Sequence, residues 1–161
     1  MDFIVEKAMA NMPEENYEPE LQANIRVVGV GGAGNNMVGW LYKKGIKGAE
    51  IIATNTDHQH LNITGADRKF LIGKECTRGL GCGGFPSRGA EAAQESLIQI
   101  KDSLKGSDMV FVCAGMGGGT GTGAAPVVAQ VAKDTGAIVI GTVTMPFSIE
   151  RARCDKAEFG L

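Results

Sequence analysis

Six glycines fall within the nine residues 115–123, in the run Ala114-Gly115-Met116-Gly117-Gly118-Gly119-Thr120-Gly121-Thr122-Gly123-Ala124-Ala125-Pro126. A stretch with so few side chains adds little to a core, yet it separates an apolar run, Met109–Ala114, from a helix-patterned one. Its backbone is free to approach a ligand or another backbone closely. Two smaller clusters repeat the feature: Gly29, Gly31, Gly32 and Gly34, then Gly79, Gly81, Gly83 and Gly84. Together they hold 14 of the chain's 24 glycines. With no Gly-X-Y period and only 5 prolines the chain is not collagen-like, and 43% hydrophobic residues exclude a low-complexity chain. Its 161 residues suit one domain. Three glycine-rich loops in one domain predict backbone brought close to a ligand, with side chains absent because they would block it.

The remaining pattern says where those loops sit. Ile25–Val30, Glu50–Thr54, Phe70–Ile72, Met109–Ala114 and Ala137–Thr144 read as strands, with Ile25–Val30 and Met109–Ala114 as buried ones. Asn35–Lys44, Ser87–Leu104, Thr122–Asp134 and Glu150–Phe159 read as helices. Gly45 is a natural stop for the first, and Pro126 is placed in the first turn of the third. Met37, Trp40 and Leu41 are expected to face the core. Strands alternating with helices predict an α/β fold, a three-layer Rossmann-like parallel sheet with helices on both faces. Ligands of such sheets bind outside the carboxyl ends of the strands. The first and third glycine clusters follow strands directly, so both fall on that edge. Residues 1–24 read as an acidic N-terminal extension, with a short helix over Phe3–Met12 and a linker from Pro13 to Glu20. Residues 25–161 form the globular domain.

Bulk properties exclude several classes. Residues 1–24 carry six acids and one base, a net of −5; residues 25–161 carry 15 bases and 12 acids, a net of +3. Neither is a strong field, so no nucleic-acid partner is expected. No basic, apolar leader opens the chain and no run of 18 apolar residues occurs, so no membrane insertion is expected. Cys76, Cys82, Cys113 and Cys154 show no zinc spacing and read as free thiols. His58 and His60 lack a carboxylate cluster and read as a polar loop, so no protein-held metal is expected.

Gly29, Gly31 and Gly34 fit G-x-G-x-x-G between a strand and a helix, where free amides and the helix dipole favour a phosphate. A dinucleotide-binding enzyme of the NAD(P) type needs an acid after the second strand, and Asp57 follows Thr54-Asn55-Thr56. That class needs only one such loop, whereas the 115–123 run forms a second. Six glycines there leave backbone amides and the Thr120 and Thr122 hydroxyls to face phosphate oxygens. No Gly-Lys-Ser/Thr occurs, so a Walker P-loop is absent.

Gly117-Gly118-Gly119-Thr120-Gly121-Thr122-Gly123 resembles the glycine-rich signature of the tubulin/FtsZ superfamily of GTPases. The likeness extends in order through Gly29–Asn36, Asn55-Thr56-Asp57, Thr77-Arg78-Gly79-Leu80-Gly81 and Pro146-Phe147 with Glu150, covering about residues 25–161. The resemblance implies GTP or GDP with Mg²⁺ as ligands. It implies Gly31, Gly32, Asn35 and Asn36 at the α/β-phosphates, with Asn35 or Asn36 near the guanine edge. Cys82, Gly83 and Gly84 would sense the γ-phosphate. Gly119, Thr120 and Gly121 would wrap the β/γ-phosphates, with Gly117, Gly118 and Thr122 also nucleotide-binding. Glu150 and Arg153 would reach the ribose or phosphates, and Asp57 would lie near Mg²⁺ through water. The loop after Gly81 departs from the family's Gly-Ala-Gly-Ala-Asn-Pro, reading Gly81-Cys82-Gly83-Gly84-Phe85-Pro86, and Cys154 stands where an arginine is common.

The family's catalytic Asn-x-Asp-Phe-x-Asp stretch does not occur among these residues. The resemblance therefore implies the nucleotide-binding N-terminal part of a longer, polymerising cell-division protein of the cytoplasm. It places no catalytic residue here, since hydrolysis would be completed by the acidic loop of the next subunit. It also implies filaments, with membrane tethers and regulators as partners at the division site. A filament-capping module without turnover and an NAD(P)-binding enzyme are the alternative readings.

Overall fold

The computed structural model describes residues 23–158 and Gly160; the expected Phe3–Met12 helix and Pro13–Glu20 linker lie outside them. The β-branched and apolar runs form five strands: β1 Ile25–Val30, β2 Ala49–Asn55, β3 Arg68–Leu71, β4 Met109–Gly115 and β5 Ile138–Thr144. All pair in parallel, in the order β3-β2-β1-β4-β5. The helices are α1 Gly31–Lys44, α2 His58–Ile63, α3 Lys74–Thr77, α4 Pro86–Glu95, α5 Leu97–Leu104, α6 Thr120–Asp134 and α7 Ala152–Glu158, with a 3₁₀ turn at Ser148–Glu150.

Alternation along the central strands divides the core into two layers. Val28, Val30, Ile52, Val110, Val112 and Ala114 pack on one face against Ala92, Ala93, Ile100, Leu104, Ala124, Val128 and Ala157 of α4 to α7. Ile51, Ala53 and Cys113 point to the other face and meet Val38 of α1 and Leu61 of α2. Burial on both faces explains the apolar runs of β1, β2 and β4, whereas β5 is largely exposed. The chain leaves β1 for α1 and β2 on one side, and leaves β4 for α6 and β5 on the other. The fold therefore has its topological switch between β1 and β4, whose ends pair Val30 with Ala114.

Several boundaries differ from expectation, each for a local reason. α1 starts four residues early, directly on β1, because Gly31 takes φ +71° and turns the chain without a loop. Gly45 ends it in the left-handed conformation, its amide returning to the Tyr42 carbonyl. α2 was not anticipated; Asp57 caps it by accepting from the His60 amide. The single helix expected over Ser87–Leu104 breaks at Ser96, whose hydroxyl accepts from the Gly73 amide. α6 begins at Thr120, so Pro126 lies in its second turn, not its first, and forgoes an internal hydrogen bond. Trp40 is 60% exposed, not core-facing, with the Lys44 ammonium 5.0 Å from its ring centroid. The sheet-facing stripe of α1 instead centres on Val38, with Met37 and Leu41 flanking it. The expected Glu150–Phe159 helix becomes the 3₁₀ turn followed by α7.

α4 and α6 cross at closest range through glycine. A Cβ on Gly123 would overlap the Pro86 carbonyl and come within 2.7 Å of the Ala90 amide nitrogen. Backbone cannot swing aside as a side chain can, so Gly123→Ala is expected to destabilise the fold by about 1–3 kcal/mol. Urea unfolding checks this: the midpoint should fall with the slope unchanged.

Candidate functional site

The ends of β1 and β4 are neighbours, so the segments that follow them meet. α1 and α6 both start there, presenting the unpaired amides and positive ends of helices 14 and 15 residues long. Between them lies a cavity of about 400 Å³ lined by Gly32, Ala33, the 115–121 loop, the end of β5 through Pro146, Glu150 and Arg153. Size does not single it out, since a hollow of about 470 Å³ lies beside Arg78 and Arg88. Its chemistry does: two helix starts and a glycine loop converge on one space.

The glycines around it divide into two kinds. Those that pack on protein include Gly31 (a Cβ would lie 2.8 Å from the Gly121 nitrogen), Gly119 (2.7 Å from the Cys82 Cβ) and Gly121 (2.5 Å from the Gly115 oxygen). Gly34 is pressed against the Cys113 carbonyl and Gly115 against the Ala33 side chain. Gly32 and Gly118 have nothing within 4 Å of a Cβ, and both line the cavity. The expectation that the loop glycines are bare only to admit a ligand therefore needs correction. Most of the clustered glycines let the loops touch each other; Gly32 and Gly118 leave space for something else.

Gly117 also lines the cavity, and its amide donates to the Thr122 hydroxyl at 2.9 Å. Thr122 is buried and braces the loop from within. Thr120 does line the cavity, and its hydroxyl lies 2.7 Å from that of Thr56. Cys82 Sγ completes a triangle, donating to Thr56 Oγ1 at 3.4 Å and accepting from Thr120 Oγ1 at 3.5 Å. Thr56 went unnoticed in the sequence except as part of Asn55-Thr56-Asp57, since a threonine after a strand carries no signal of its own.

Asn35 is fully buried. Oriented to suit its neighbours, its amide donates to the Gly29 and Thr54 carbonyls at 3.0 and 3.2 Å and accepts from Asn55 Nδ2 at 3.3 Å. It thereby ties the ends of β1 and β2 together. Asn36 is exposed on the second turn of α1. Asp57 spends an oxygen on the α2 cap. Gly83 lines the neighbouring hollow, and the Gly84 carbonyl accepts from Lys156. Neither His58 nor His60 joins a metal cluster; among the described residues no group of three His, Cys, Asp or Glu is placed to hold an ion.

On the far wall Arg153 pairs with Glu150 at 2.9 Å, and Glu150 also accepts from the Phe147 amide at 3.0 Å. Arg151 is not among the lining residues. The Phe147 hydrogen bond, and secondarily Arg153, hold the Glu150 carboxyl below the usual glutamate range. Burial pushes Cys76 up to about 11, assisted by Glu95, and burial also raises Cys113, so neither thiol is activated.

A parallel α/β sheet with two phosphate-type helix starts at its switch point defines a nucleotide-binding class of protein. The comparisons narrow it. Residues 24–161 match the family described as Tubulin/FtsZ family, GTPase domain, and the chain belongs to that family. It is 60% identical to cell division protein FtsZ 2 of Methanocaldococcus jannaschii over 87% of this chain and 37% of that protein. It is 51% identical to cell division protein FtsZ 1 of Archaeoglobus fulgidus over 100% of this chain and 49% of that protein. Among solved structures, "FtsZ dimer, empty (M. jannaschii)" superposes with a TM-score of 0.84 at 48% identity, covering 99% of this chain and 44% of that one. The chain thus spans less than half the length of these relatives. Among the described residues no helix is long and apolar enough to cross a membrane.

Because its carboxyl is held low, Glu150 supports the 147–153 turn above the ordinary glutamate range and loses that support only as pH falls through its own lowered pKa. A carbon-detected NMR titration should show Glu150 titrating below the chain's unpaired glutamates. In Arg153→Ala its midpoint should move part of the way up.

Proposed function

We propose that this chain is the guanine-nucleotide-binding part of a polymerising, tubulin-like GTPase of cell division. The observation that carries the reading is the cavity's pair of open glycines, Gly32 and Gly118, each at the start of a helix dipole. A phosphate chain can lie across both with its oxygens on backbone amides, where any side chain would intrude. Gly31, Gly117, Gly119, Thr120 and Gly121 shape that bed. Cys82, Gly83 and Gly84 stand next to it for a third phosphate. Glu150 and Arg153 face the ribose end, and Asn36 is the exposed candidate for the guanine edge. Asn35 and Thr122 serve the same site from beneath, as braces.

Mg²⁺ fits this site only as a phosphate-held ion. The described residues form no cage, and Mg²⁺ typically keeps several waters and takes one or two carboxylates beside the phosphates. Asp57, which spends one carboxylate oxygen on the α2 cap, has the other for such a water. Bound there, the ion would neutralise phosphate charge; the chain's own residues position the phosphates and exclude side chains from them. Hydrolysis is completed by an acidic loop of the next subunit in a filament, a contact in keeping with the dimer named for the M. jannaschii structure. The protein works in the cytoplasm at the division site, with membrane tethers and regulators as partners.

Isothermal titration of GTP, ATP and NAD in Mg²⁺ tests the reading. GTP should bind at least about tenfold more tightly than either rival, a difference of about 1.4 kcal/mol. Gly118→Val should abolish most of that binding while leaving the urea midpoint in place, because its side chain enters open space. Tighter ATP or NAD binding, or full GTP affinity in Gly118→Val, contradicts it.

A further inference from the structure

The loop 81–85 is pinned at its two ends by quite different means. At its start the Gly81 amide donates to the Thr56 carbonyl at 3.1 Å, and Cys82 sits in the hydroxyl triangle with Thr56 and Thr120. At its end the Lys156 ammonium, on α7, donates to the Gly84 carbonyl at 2.9 Å and lies 5.7 Å from the Phe85 ring centroid. Phe85 is 58% exposed, so core burial does not hold its ring there. Lys156 is half-buried and, among the described residues, has no carboxylate partner. Its neighbour Ala157 is fully buried in the core and anchors α7. Arg153, one helical turn earlier on the same face, lines the cavity.

We propose that Lys156 is a positioning residue that latches the 81–85 loop against the nucleotide cavity and thereby sets the preference for a nucleoside triphosphate over a diphosphate. The inference rests on the nucleotide reading of the cavity given above. The loop abuts the phosphate bed: a Cβ on Gly119 would come within 3.0 Å of the Phe85 nitrogen and 3.2 Å of the Gly84 nitrogen. The Phe85 amide donates to the Cys82 carbonyl at 3.1 Å and closes the loop, so the Gly83 and Gly84 amides are the ones held for a third phosphate before it arrives, and its binding spends little on ordering the loop. A diphosphate does not reach them and gains nothing from the latch. The cation–π contact with Phe85 and the hydrogen bond to Gly84 act on adjacent residues, so one ammonium fixes both the ring and the backbone. The phenylalanine that departs from the family's asparagine thus has a physical partner in this chain.

Two readouts on the 161-residue chain test the latch. Without nucleotide, amide hydrogen exchange at Gly83, Gly84 and Phe85 should quicken in Lys156→Met and in Phe85→Leu, and stay at the wild-type rate in Lys156→Arg, which keeps the cation. With fluorescent GTP and GDP, Lys156→Met should weaken GTP by about five- to tenfold and GDP by less than about twofold. Lys156→Arg should restore the ratio. Unchanged exchange in Lys156→Met, or an equal loss for GTP and GDP, overturns the proposal. Should the wild-type chain bind neither nucleotide, the function proposed above falls, while the exchange rates still decide whether the latch exists.

Discussion

Everything at the candidate site depends on the parallel pairing of β1 with β4. That register sets Val30 beside Ala114, so two strands that send their helices to opposite faces end side by side. The backbone has no other way to bring the starts of α1 and α6 into one space. Once there, both helices point their unpaired amides at the same cavity, and the local field favours negative charge without any lysine or arginine in either loop. Close approach is then enforced by steric fit: Gly31 against Gly121, Gly119 against Cys82 and Gly123 against the first turn of α4. Glycine is required at these contacts because the opposing atoms are largely backbone, which cannot yield.

Much of this was legible in the sequence. Continuous apolar runs marked parallel strands, and glycine placed directly after a strand marked the sheet edge where the cavity lies. What could not be read was which glycines pack on protein and which face open space. A glycine packed on a carbonyl and a glycine facing empty space look alike in one dimension; only the neighbours distinguish Gly123 from Gly118. For the same reason Thr122 read as a ligand donor although it accepts from the Gly117 amide, and Asn35 gave no sign that it would be wholly enclosed. The break at Ser96 depends on a hydroxyl reaching a residue more than twenty positions away. Trp40 shared the helical spacing of buried residues yet lies beyond the edge of the stripe that meets the sheet. By contrast α2 has a readable signal, an aspartate at the N-cap position before a short apolar-containing turn.

The loop 81–85 shows how departures from a family pattern acquire a physical account. Cys82 replaces an alanine and makes two weak contacts with threonine hydroxyls from β2's end and α6, joining three segments of the site. Phe85 replaces an asparagine and lies beneath the Lys156 ammonium. The changes are local, while the fold around them is shared with a solved relative of the family the chain belongs to.

In the proposed function a guanine nucleotide's phosphates lie at the β1–β4 switch point, across Gly32 and Gly118. Amide chemical shifts recorded as GTP is added to the isotope-labelled chain test it most directly. The largest shifts should fall at Gly32, Ala33 and Gly117 to Gly121, with little change at Asn24, Gly48 and Ala49 on the opposite edge of the sheet. Shifts concentrated at the opposite edge or in the hollow beside Arg78 and Arg88, with Gly32 and Gly118 unmoved, would contradict it.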